Sequence, residues 1–344
     1  MLATDYLRQS LLRLSRGEDI EHDAGFALEA IWKDEATPAQ IAAFLTLIRQ
    51  KQETATELYS MAETLRRRMQ VVAAPDNVVD CCGTGGDGSH SLNISTTTAL
   101  VVAACGVRVA KHGNRAVSSQ SGSADILEKL GVGINLSTTS AAHCLQEAGI
   151  VFLAAPVFHP IMQKVGAIRK ELGFRTSFNI LGPMLNPANV KHQLMGVFSA
   201  NLLHPVAGAL QLQGSKRAWV VCSHDGLDEI SISAPTRVAE LVEGKIRRFT
   251  IDPSWGDLPL YPLGACRGGD VADNARAMLG LLRGEKGAYR DAVLLNSAAL
   301  LCIAQAEPAT PELLQSFVKK AAEALDSGQA FARLQALIKL SGAS

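Results

Sequence analysis

The sequence predicts an α/β protein in which a small all-helical N-terminal domain precedes a larger α/β domain with a mainly parallel central sheet. Residues 1–70 carry only helical periodicity, whereas from residue 77 short apolar runs alternate with helical segments. This alternation is typical of parallel strands joined by crossover helices. A glycine-rich motif directly follows the first apolar run, and open parallel sheets bind ligands beyond the carboxyl ends of their strands.

The first 72 residues are predicted to form the helical domain. Leu7, Leu11 and Leu14 recur at helical spacing, and capping boxes at residues 37–40 and 54–57 mark the starts of two further helices. The second of these helices carries an apolar stripe formed by Leu58, Met61, Leu65 and Met69. We expect this stripe to pack in the core or against a second copy of the chain.

Residues 73–344 are predicted to form the α/β domain. Strands are expected over residues 77–82, 107–110, 150–154 and 218–222, with a hairpin over 238–251. Helices are expected over residues 96–105 and 124–130, and the C-terminal segments 270–283 and 288–340 are expected to return to helices. Loops that follow separate parallel strands can converge at one edge of the sheet, although they are far apart in sequence.

The composition narrows the class of protein. Among 344 residues, Lys and Arg total 33 and Asp and Glu total 33, and this balance argues against a surface built for nucleic acid. The longest apolar run, around residues 99–105, is too short to cross a membrane. The seven cysteines form no Cys-x-x-Cys pair and the N-terminus has no signal-peptide pattern, so we expect reduced thiols and a cytoplasmic location.

Two segments indicate a pocket for a phosphorylated substrate. Residues 83–87 read Gly-Thr-Gly-Gly-Asp, and the missing Cβ atoms allow backbone N–H groups to close on an anion. Taken alone, this loop is equally compatible with a tight βα turn, because it matches neither the dinucleotide nor the Walker A motif. Residues 111–119 add Lys111, Arg115 and His112 among hydroxyl and amide side chains, a composition that would not build a core. The neighbouring cations favour the neutral form of His112, which we interpret as a polar contact.

Asp228 and Glu229 form the candidate metal site. Adjacent carboxylates in a loop are usually solvated, but Mg²⁺ is commonly held by one or two carboxylates together with substrate phosphates. Ser95 or Thr96 is expected to cap a helix near the glycine loop, where a hydroxyl can also contact phosphate or ligate Mg²⁺. The phosphate loop therefore favours a metal at these carboxylates.

Arg169 stands in the last turn of a predicted helix. The residues alone favour a plain structural role, since cations at this position stabilise the helix dipole. The alternative is that its planar guanidinium grips a carboxylate of a ligand.

Taken together, these segments closely resemble the anthranilate phosphoribosyltransferases over essentially the whole chain. The matching motifs are GTGGD at 83–87, NIST at 93–96, KHGNRAVSS at 111–119, SGSAD at 121–125, RKELG-x-RT-x-FN at 169–179, LGP-x-x-NP at 181–187, and DE at 228–229 with PTRVAEL at 235–241. Departures are small: Lys170 stands where the family often has Arg, and Ser91-Leu92 where it often has Thr-Phe.

The resemblance implies a nucleoside phosphorylase/phosphoribosyltransferase-like fold, with the helical domain completed by helices near residues 160–190 and two chains forming a homodimer. It implies Mg²⁺-dependent transfer of the phosphoribosyl group of 5-phosphoribosyl 1-pyrophosphate (PRPP) to the amine of anthranilate, in tryptophan biosynthesis. The products are N-(5-phosphoribosyl)anthranilate and pyrophosphate, and two Mg²⁺ ions are expected.

The same resemblance assigns the site residues. Contacts to PRPP are expected from Gly83, Gly86, Asp87, Ser91, Asn93, Ile94, Ser95, Thr96, Lys111, His112, Gly113, Asn114, Arg115, Ala116, Val117, Ser118, Ser119 and Ser123. Contacts to anthranilate are expected from Gly83, Asn114 and Arg169, which favours the carboxylate-gripping role of the arginine. The Mg²⁺ ligands are expected to be Ser95, Asp228 and Glu229. No general base is assigned.

Two alternative functions share the fold class. A pyrimidine nucleoside phosphorylase would use inorganic phosphate and would need no Asp-Glu metal pair. A non-enzymatic nucleic-acid-binding relative would lack the glycine loop and carry a basic surface. This sequence shows neither of these two features.

Overall fold

The computed structural model describes residues 2–116 and 121–342, and it confirms the predicted fold class. Its helices are α1 (Ala3–Leu14), α2 (Asp23–Trp32), α3 (Pro38–Lys51), α4 (Ala55–Arg66), α5 (Ile94–Ala104), α6 (Ser123–Lys129), α7 (Thr138–Ala148), α8 (Ala155–Phe158), α9 (Gly166–Leu172), α10 (Ser177–Leu181), α11 (Leu203–Leu212), α12 (Val271–Leu282), α13 (Ala288–Gln305), α14 (Pro311–Asp326) and α15 (Gln329–Ser341). None of these described helices has the length and apolar character needed to span a membrane.

The strands are β1 (Val79–Gly83), β2 (Val109–Gly113), β3 (Ile150–Ala154), β4 (His192–Gly196), β5 (Arg217–Ser223), β6 (Thr236–Val242) and β7 (Lys245–Ile251). They form one sheet in the order β3-β2-β1-β4-β5-β6-β7. The five strands from β3 to β5 are mutually parallel, and the β6–β7 hairpin adds two antiparallel strands. Sequence reasoning missed β4, which lies between β1 and β5.

The first four helices pack as a bundle. Both predicted capping boxes are present: Thr37 Oγ1 accepts from the N–H of Gln40, and Thr54 Oγ1 accepts from that of Glu57. Leu58, Met61 and Leu65 of the α4 stripe are fully buried among residues of the same chain.

The first alternative, packing in the core, is therefore confirmed for those three side chains, and they are not available to a second copy of the chain. Their apolar surface is already removed from water by internal packing against the helices of the bundle and α11. Apolar residues between positions 165 and 185 belong to the same buried cluster as the bundle.

Both faces of the parallel strands are covered by helices. Along β5, Trp219 and Val221 pack on the side of α5 and α13, whereas Ala218, Val220 and Cys222 pack on the side of α11 and the bundle. This alternation follows from the two-residue period of a strand. The strands β1 to β5 are therefore buried on both sides, and ligands have access mainly at their ends, whereas most residues of β7 are exposed or half-buried.

Three neighbouring strands, β2, β1 and β4, each end in glycine. A Cβ on Gly83 would lie 2.2 Å from Oδ2 of Asp228, and one on Gly196 would lie 1.5 Å from the Asp228 carbonyl oxygen. A Cβ on Gly113 would lie 2.3 Å from Oγ of Ser123. These glycines let the loops after β1, β2 and β5 approach one another closely at the carboxyl edge of the sheet.

Candidate active site

The glycine loop wraps around the side chain of Asp228. Gly85 and Gly86 adopt φ values of +67° and +70°, which L side chains rarely adopt. The N–H of Gly85 donates to Oδ2 of Asp228 at 2.7 Å. On the other side of the loop, the guanidinium of Arg175 lies over the ring of Phe198, and its Nε is 2.9 Å from the Cβ position of Gly86.

Glu229 binds the N-terminus of α5. Its Oε1 accepts from the N–H of Ser95 at 3.1 Å. The expectation that Ser95 or Thr96 caps this helix is wrong: the cap residue is Asn93, and its side chain makes no capping bond. The helix begins earlier than expected because the carboxylate of Glu229, supplied from the β5–β6 connection, binds a free N–H of the first turn.

Asp228 and Glu229 are each only 8% exposed, so they are not the solvated pair that their loop position alone would indicate. Burial raises the pKa of both carboxyl groups, and the charge of Asp87 acts in the same direction on Asp228, as that of Asp228 does on Glu229. Two buried carboxylates with a nearby third therefore favour a cation. Within the described residues, no group of three or more His, Cys, Asp or Glu side chains forms a complete metal site. The donor set fits Mg²⁺, which keeps waters and substrate oxygens as further ligands.

Lys111 supplies a buried cation on β2. It is 3% exposed, and its Nζ donates to the carbonyl oxygen of His112 at 2.8 Å. Burial lowers the pKa of Lys111, but the charge of Asp80 and weaker neighbouring charges together outweigh this effect, and the net pKa lies above its ordinary value. Asp80 is itself held by the side-chain amide of Asn186 and the N–H of His112. The lysine is therefore fixed as a cation beneath the site.

Two adjoining cavities lie at this edge of the sheet. The first has a volume of about 210 Å³, and the second of about 360 Å³. They share a wall formed by residues 82–83, 85–86 and 112–114 together with Gly122. We call the smaller one the carboxylate cavity, since Asp228 and Glu229 line it, and the larger one the arginine cavity, since Arg169 lines it.

The structure brings most of the predicted site residues together. The carboxylate cavity is lined by Gly83, Gly86, Asp87, Ser91, Asn93, Ile94, Ser95, Thr96, Lys111, His112, Gly113, Asn114, Ser123, Asp228 and Glu229. Arg115 and Ala116 line the arginine cavity instead. Val117, Ser118 and Ser119 lie outside the described residues.

The Arg115 side chain forms ion pairs with helix α6. It is exposed and pairs with Asp125 at 3.0 Å and with Glu128 at 2.9 Å. Asp125 also accepts from the N–H groups of Ala116 and Gly122. These contacts anchor the two ends of the segment that follows β2, so an anionic ligand would have to compete with two acidic side chains for Arg115.

Arg169 projects into the arginine cavity without an acidic partner. Its Nη2 donates to Oδ1 of Asn179 at 3.2 Å, and its guanidinium lies 5.5 Å from the ring centroid of Phe178. In the described ranges, no Asp or Glu oxygen lies within ion-pair distance of it. Burial lowers the pKa of Arg169. A partly desolvated cation that lacks a counter-ion is suited to an anionic ligand.

Two buried histidines form another part of this cavity. The rings of His112 and His159 meet edge to face with centroids 5.2 Å apart. Burial lowers the pKa of both, well below the ordinary value for His112 and to about 4 for His159. The neutral state expected for His112 agrees with this direction, although burial contributes more than its cationic neighbours. The Nε2 of His112 is buried and makes no hydrogen bond within the described chain.

Sequence reasoning did not assign several lining residues. They include Met162, His159, Phe178, Asn179 and Pro183 of the arginine cavity, and Gly269 of the carboxylate cavity. Phe178 and Asn179 were within a recognised motif, whereas His159 and Gly269 come from other parts of the chain. Only the fold shows that these parts meet.

Two family models match consecutive parts of the chain. Residues 8–69 match the glycosyl transferase family, helical bundle domain, and residues 75–331 match the glycosyl transferase family, a/b domain. The fold is thus that of a two-domain glycosyl transferase.

Similar proteins identify the family within the glycosyl transferases to which the chain belongs. An anthranilate phosphoribosyltransferase from Rhodopseudomonas palustris (strain HaA2) is 48% identical, with 97% of this chain and 98% of the relative aligned. The crystal structure of the enzyme of that name from Thermus thermophilus superposes with a TM-score of 0.90 at 38% identity, covering 98% of this chain and 99% of that one. The Saccharomyces cerevisiae enzyme in complex with PRPP and Mg superposes with a TM-score of 0.90 at 29% identity, covering 98% of each chain. The chain belongs to the anthranilate phosphoribosyltransferase family.

Proposed function

We propose that this chain transfers the phosphoribosyl group of PRPP to the amine of anthranilate, releasing pyrophosphate and forming N-(5-phosphoribosyl)anthranilate for tryptophan biosynthesis. The observation that carries this proposal is the pair of adjoining cavities. One combines buried carboxylates with a buried lysine and a glycine loop, and the other contains an arginine that lacks an acidic partner within the described residues. A phosphorylated, metal-bound donor and a small anionic acceptor fit this pair.

The donor is proposed to occupy the carboxylate cavity. Backbone N–H groups of the glycine loop and the first turn of α5, with the cation of Lys111, are suited to phosphate and pyrophosphate oxygens. Among the remaining predicted PRPP contacts of this cavity, hydroxyl and amide groups for the ribose and its phosphate come from Ser91, Asn93, Thr96, Asn114 and Ser123.

Mg²⁺ is proposed to bind at Asp228, Glu229 and Ser95. Two ions are proposed, as the resemblance to the family implies, and each would complete its shell with water and phosphate oxygens. The burial and mutual repulsion of the carboxylates support this assignment, since a cation relieves both. When bound, Mg²⁺ would stabilise negative charge on pyrophosphate.

Anthranilate is proposed to occupy the arginine cavity with its carboxylate on Arg169. Gly83 and Asn114 belong to the wall shared with the carboxylate cavity, so an acceptor that touches them is close to the donor. Holding the amine near the ribose carbon is expected to be a large part of the rate enhancement. As the bond to pyrophosphate breaks, negative charge grows on the leaving group, where Lys111 and the loop N–H groups can stabilise it.

Three further features belong to the same proposal. The helical domain comprises residues 1–72 and is completed by helices near residues 160–190, which lie within the sequence of the α/β phosphoribosyl-binding domain at residues 73–344. The chain acts as a homodimer, without nucleic acid or membrane partners. It works in the cytoplasm, which is consistent with seven cysteines that form no disulfide in the described chain.

Loss of anthranilate fluorescence tests the proposed activity. We expect turnover only when both PRPP and Mg²⁺ are present, and we expect EDTA to abolish it until excess Mg²⁺ is returned. Phosphorolysis of thymidine or uridine without any turnover of anthranilate would instead favour a pyrimidine nucleoside phosphorylase.

A double variant tests the metal ligands. Asp228→Asn with Glu229→Gln keeps side-chain size but removes charge, so activity should fall steeply while the melting temperature changes little. The matched control is Glu243→Gln with Asp257→Asn, which alters one residue of each type outside both cavities. An unchanged Mg²⁺ dependence in the Asp228 and Glu229 variant would count against these ligands.

A further inference from the structure

We propose that Asn274 is a positioning residue of the donor site, which orients the side-chain amide of Asn93 so that its Nδ2, a hydrogen-bond donor, is the atom available to the ligand. This inference rests on the proposed function, because the ligand concerned is PRPP. Asn274 does not line either cavity and would act through its neighbours.

Asn274 is a buried polar hub on α12. It is 2% exposed, and both ends of its amide are used. Its Oδ1 accepts from the N–H of Gly269 at 2.8 Å. Its Nδ2 donates to Oδ1 of Asn93 at 3.1 Å and to Oγ of Ser121 at 2.6 Å. One side chain thus joins three segments that are distant in sequence.

The orientation of Asn93 follows from this network. The partner of the Asn274 oxygen is a backbone N–H, which can only donate, so the other end of the Asn274 amide must be its NH₂ group. The Asn93 atom that faces this NH₂ group must then be the carbonyl oxygen. The Asn93 side chain makes no capping bond to α5, and Asn93 lines the carboxylate cavity. Its NH₂ group is therefore suited to an anionic or hydroxyl oxygen of the ligand.

The same hub holds one wall of the carboxylate cavity. The segment before α12 pairs with the segment before α5 through N–H of Leu92 to the oxygen of Cys266, and N–H of Gly268 to that of His90, both at 2.8 Å. Gly269, the residue that Asn274 binds, lines the cavity. The backbone of Asn93 is fixed separately, because its carbonyl oxygen accepts from the hydroxyl of Tyr289. Loss of Asn274 should therefore alter the Asn93 side chain more than its backbone.

Asn274→Asp is the sharpest variant. It is isosteric and can still accept from Gly269, but it presents an acceptor to Asn93. The Asn93 amide should then turn over, so that its NH₂ group faces the new carboxylate and its oxygen faces the ligand. Loss of a hydrogen bond to a charged group and its replacement by a repulsive contact should weaken PRPP binding by about tenfold or more.

The experiment compares wild type, Asn274→Asp, Asn93→Ala and the double variant. PRPP binding with Mg²⁺ is measured by calorimetry in the absence of anthranilate, and KM is measured for each substrate. We expect Asn274→Asp and Asn93→Ala each to raise the Kd and KM for PRPP while KM for anthranilate stays within about twofold. The double variant should be little worse than Asn93→Ala alone, because residues that act through one another are not additive. Arg276→Ala, an exposed position on the same helix, is the control that should change neither constant.

Several outcomes would overturn the inference. One is an unchanged PRPP affinity in Asn93→Ala, a cavity-wall change that tests the inference even if Asn274→Asp unfolds. Another is an equal loss of affinity for both substrates, or strict multiplication of the single effects in the double variant. Wild-type protein that binds PRPP without consuming anthranilate would refute the proposed function, yet the binding cycle would still test Asn274. Wild-type protein that does not bind PRPP would refute both.

Discussion

The environment of Arg169 differs from the one expected if the residue only stabilised the end of its helix. A cation in the last turn of a helix ordinarily faces water and stabilises the helix dipole. Here the side chain is turned into a cavity, where it contacts the Asn179 amide and the ring of Phe178. An arginine held in this way is preorganised for a planar anion.

Arg169→Ala should therefore raise KM for anthranilate far more than KM for PRPP. A charge-assisted hydrogen bond contributes about 1.5–3 kcal/mol, which corresponds to a roughly ten- to hundredfold weakening. Arg169→Lys should recover only part of the loss, since an ammonium lacks the two parallel N–H groups. Steady-state kinetics with each substrate varied in turn provide the measurement.

The neighbouring Lys170 provides the control for this experiment. It is exposed and lies outside the arginine cavity, so Lys170→Ala should leave both KM values nearly unchanged. If Arg169→Ala weakened both substrates equally, or neither, the residue would return to its plain structural role. Asn114 or Arg175 would then become the better candidate for the acceptor carboxylate.

Glu240 illustrates a buried charge with a structural effect. It accepts from Arg217 and from the indole N–H of Trp219 at 2.9 Å, and it also pairs with Arg247. Burial raises the pKa of Glu240, but these donors outweigh burial and hold the pKa below its ordinary value. The ionised form thus stabilises the fold above the unfolded-state pKa of about 4.3, and this contribution is lost as the pH falls through the lower, folded-state pKa.

Glu240→Gln should lower the free energy of unfolding by about 3–5 kcal/mol at pH 7, because it leaves the buried Arg217 without its counter-ion. The difference from wild type should shrink as the pH falls below about 4, where the wild-type carboxylate also loses its charge. Urea unfolding at several pH values measures this difference in the free energy of unfolding. Glu243→Gln on the exposed hairpin turn is the matched control. A difference that does not depend on pH would contradict the ionic explanation.

At the scale of the element, the ends of β1 and β4 are shaped by the loop that carries Asp228. A Cβ on Gly83 would meet the end of the Asp228 side chain, whereas one on Gly196 would meet its backbone. Gly83→Ala should therefore displace the carboxylate and reduce activity with little effect on folding. Gly196→Ala should lower the melting temperature, since a backbone carbonyl cannot rotate away.

Activity assays and thermal melts of both variants separate these effects. Gly166→Ala at the start of α9 is the control, because no atom lies near its Cβ position within the described chain. Equal loss of stability in Gly83→Ala and Gly196→Ala would show that the distinction between side chain and backbone does not matter here.

An element could be predicted from the sequence where its own residues carry the pattern that defines it. β3 was predicted over the residues that it occupies, since its five residues are all apolar and directly follow Gly149, which ends the preceding helix. β4 was missed because its segment, His-Gln-Leu-Met-Gly, contains no β-branched residue, and it is a strand only because two parallel neighbours pair with it. The capping boxes were predictable, since each uses residues three apart. The carboxylate at the start of α5 was not, because Glu229 is 134 residues away from Ser95.

Part of the candidate site could likewise be predicted from the sequence, and part could not. Its motifs follow strands, and the rule for parallel sheets correctly brings the loops after β1, β2 and β5 to one edge. Asn274 carries no such signal, because a lone asparagine in a helix is recognisable as a hub only when Asn93 and Ser121 are seen beside it. Long-range polar contacts of this kind depend on the finished fold.

At the scale of the whole molecule, the helical bundle leaves an aromatic face exposed. The rings of Tyr6 on α1 and Phe26 on α2 are stacked with centroids 4.6 Å apart, and Phe26 is 46% exposed. They border a groove that also contains side chains of both charges, namely Glu29, Lys33, Glu63 and Arg67. A surface that combines stacked aromatic rings with side chains of both charges can pair with a second copy of itself about a two-fold axis.

We therefore expect the homodimer to form through this face, since the buried stripe of α4 is unavailable. Light scattering at micromolar concentration should report twice the mass of one chain. Phe26→Glu should yield a folded monomer, because the change places a charge in the contact and Phe26 belongs to neither buried core cluster. Leu260→Glu, an exposed leucine of the α/β domain, should remain dimeric and is the control. A fully active wild-type monomer, or a Phe26→Glu variant that remains dimeric, would exclude this face as the interface.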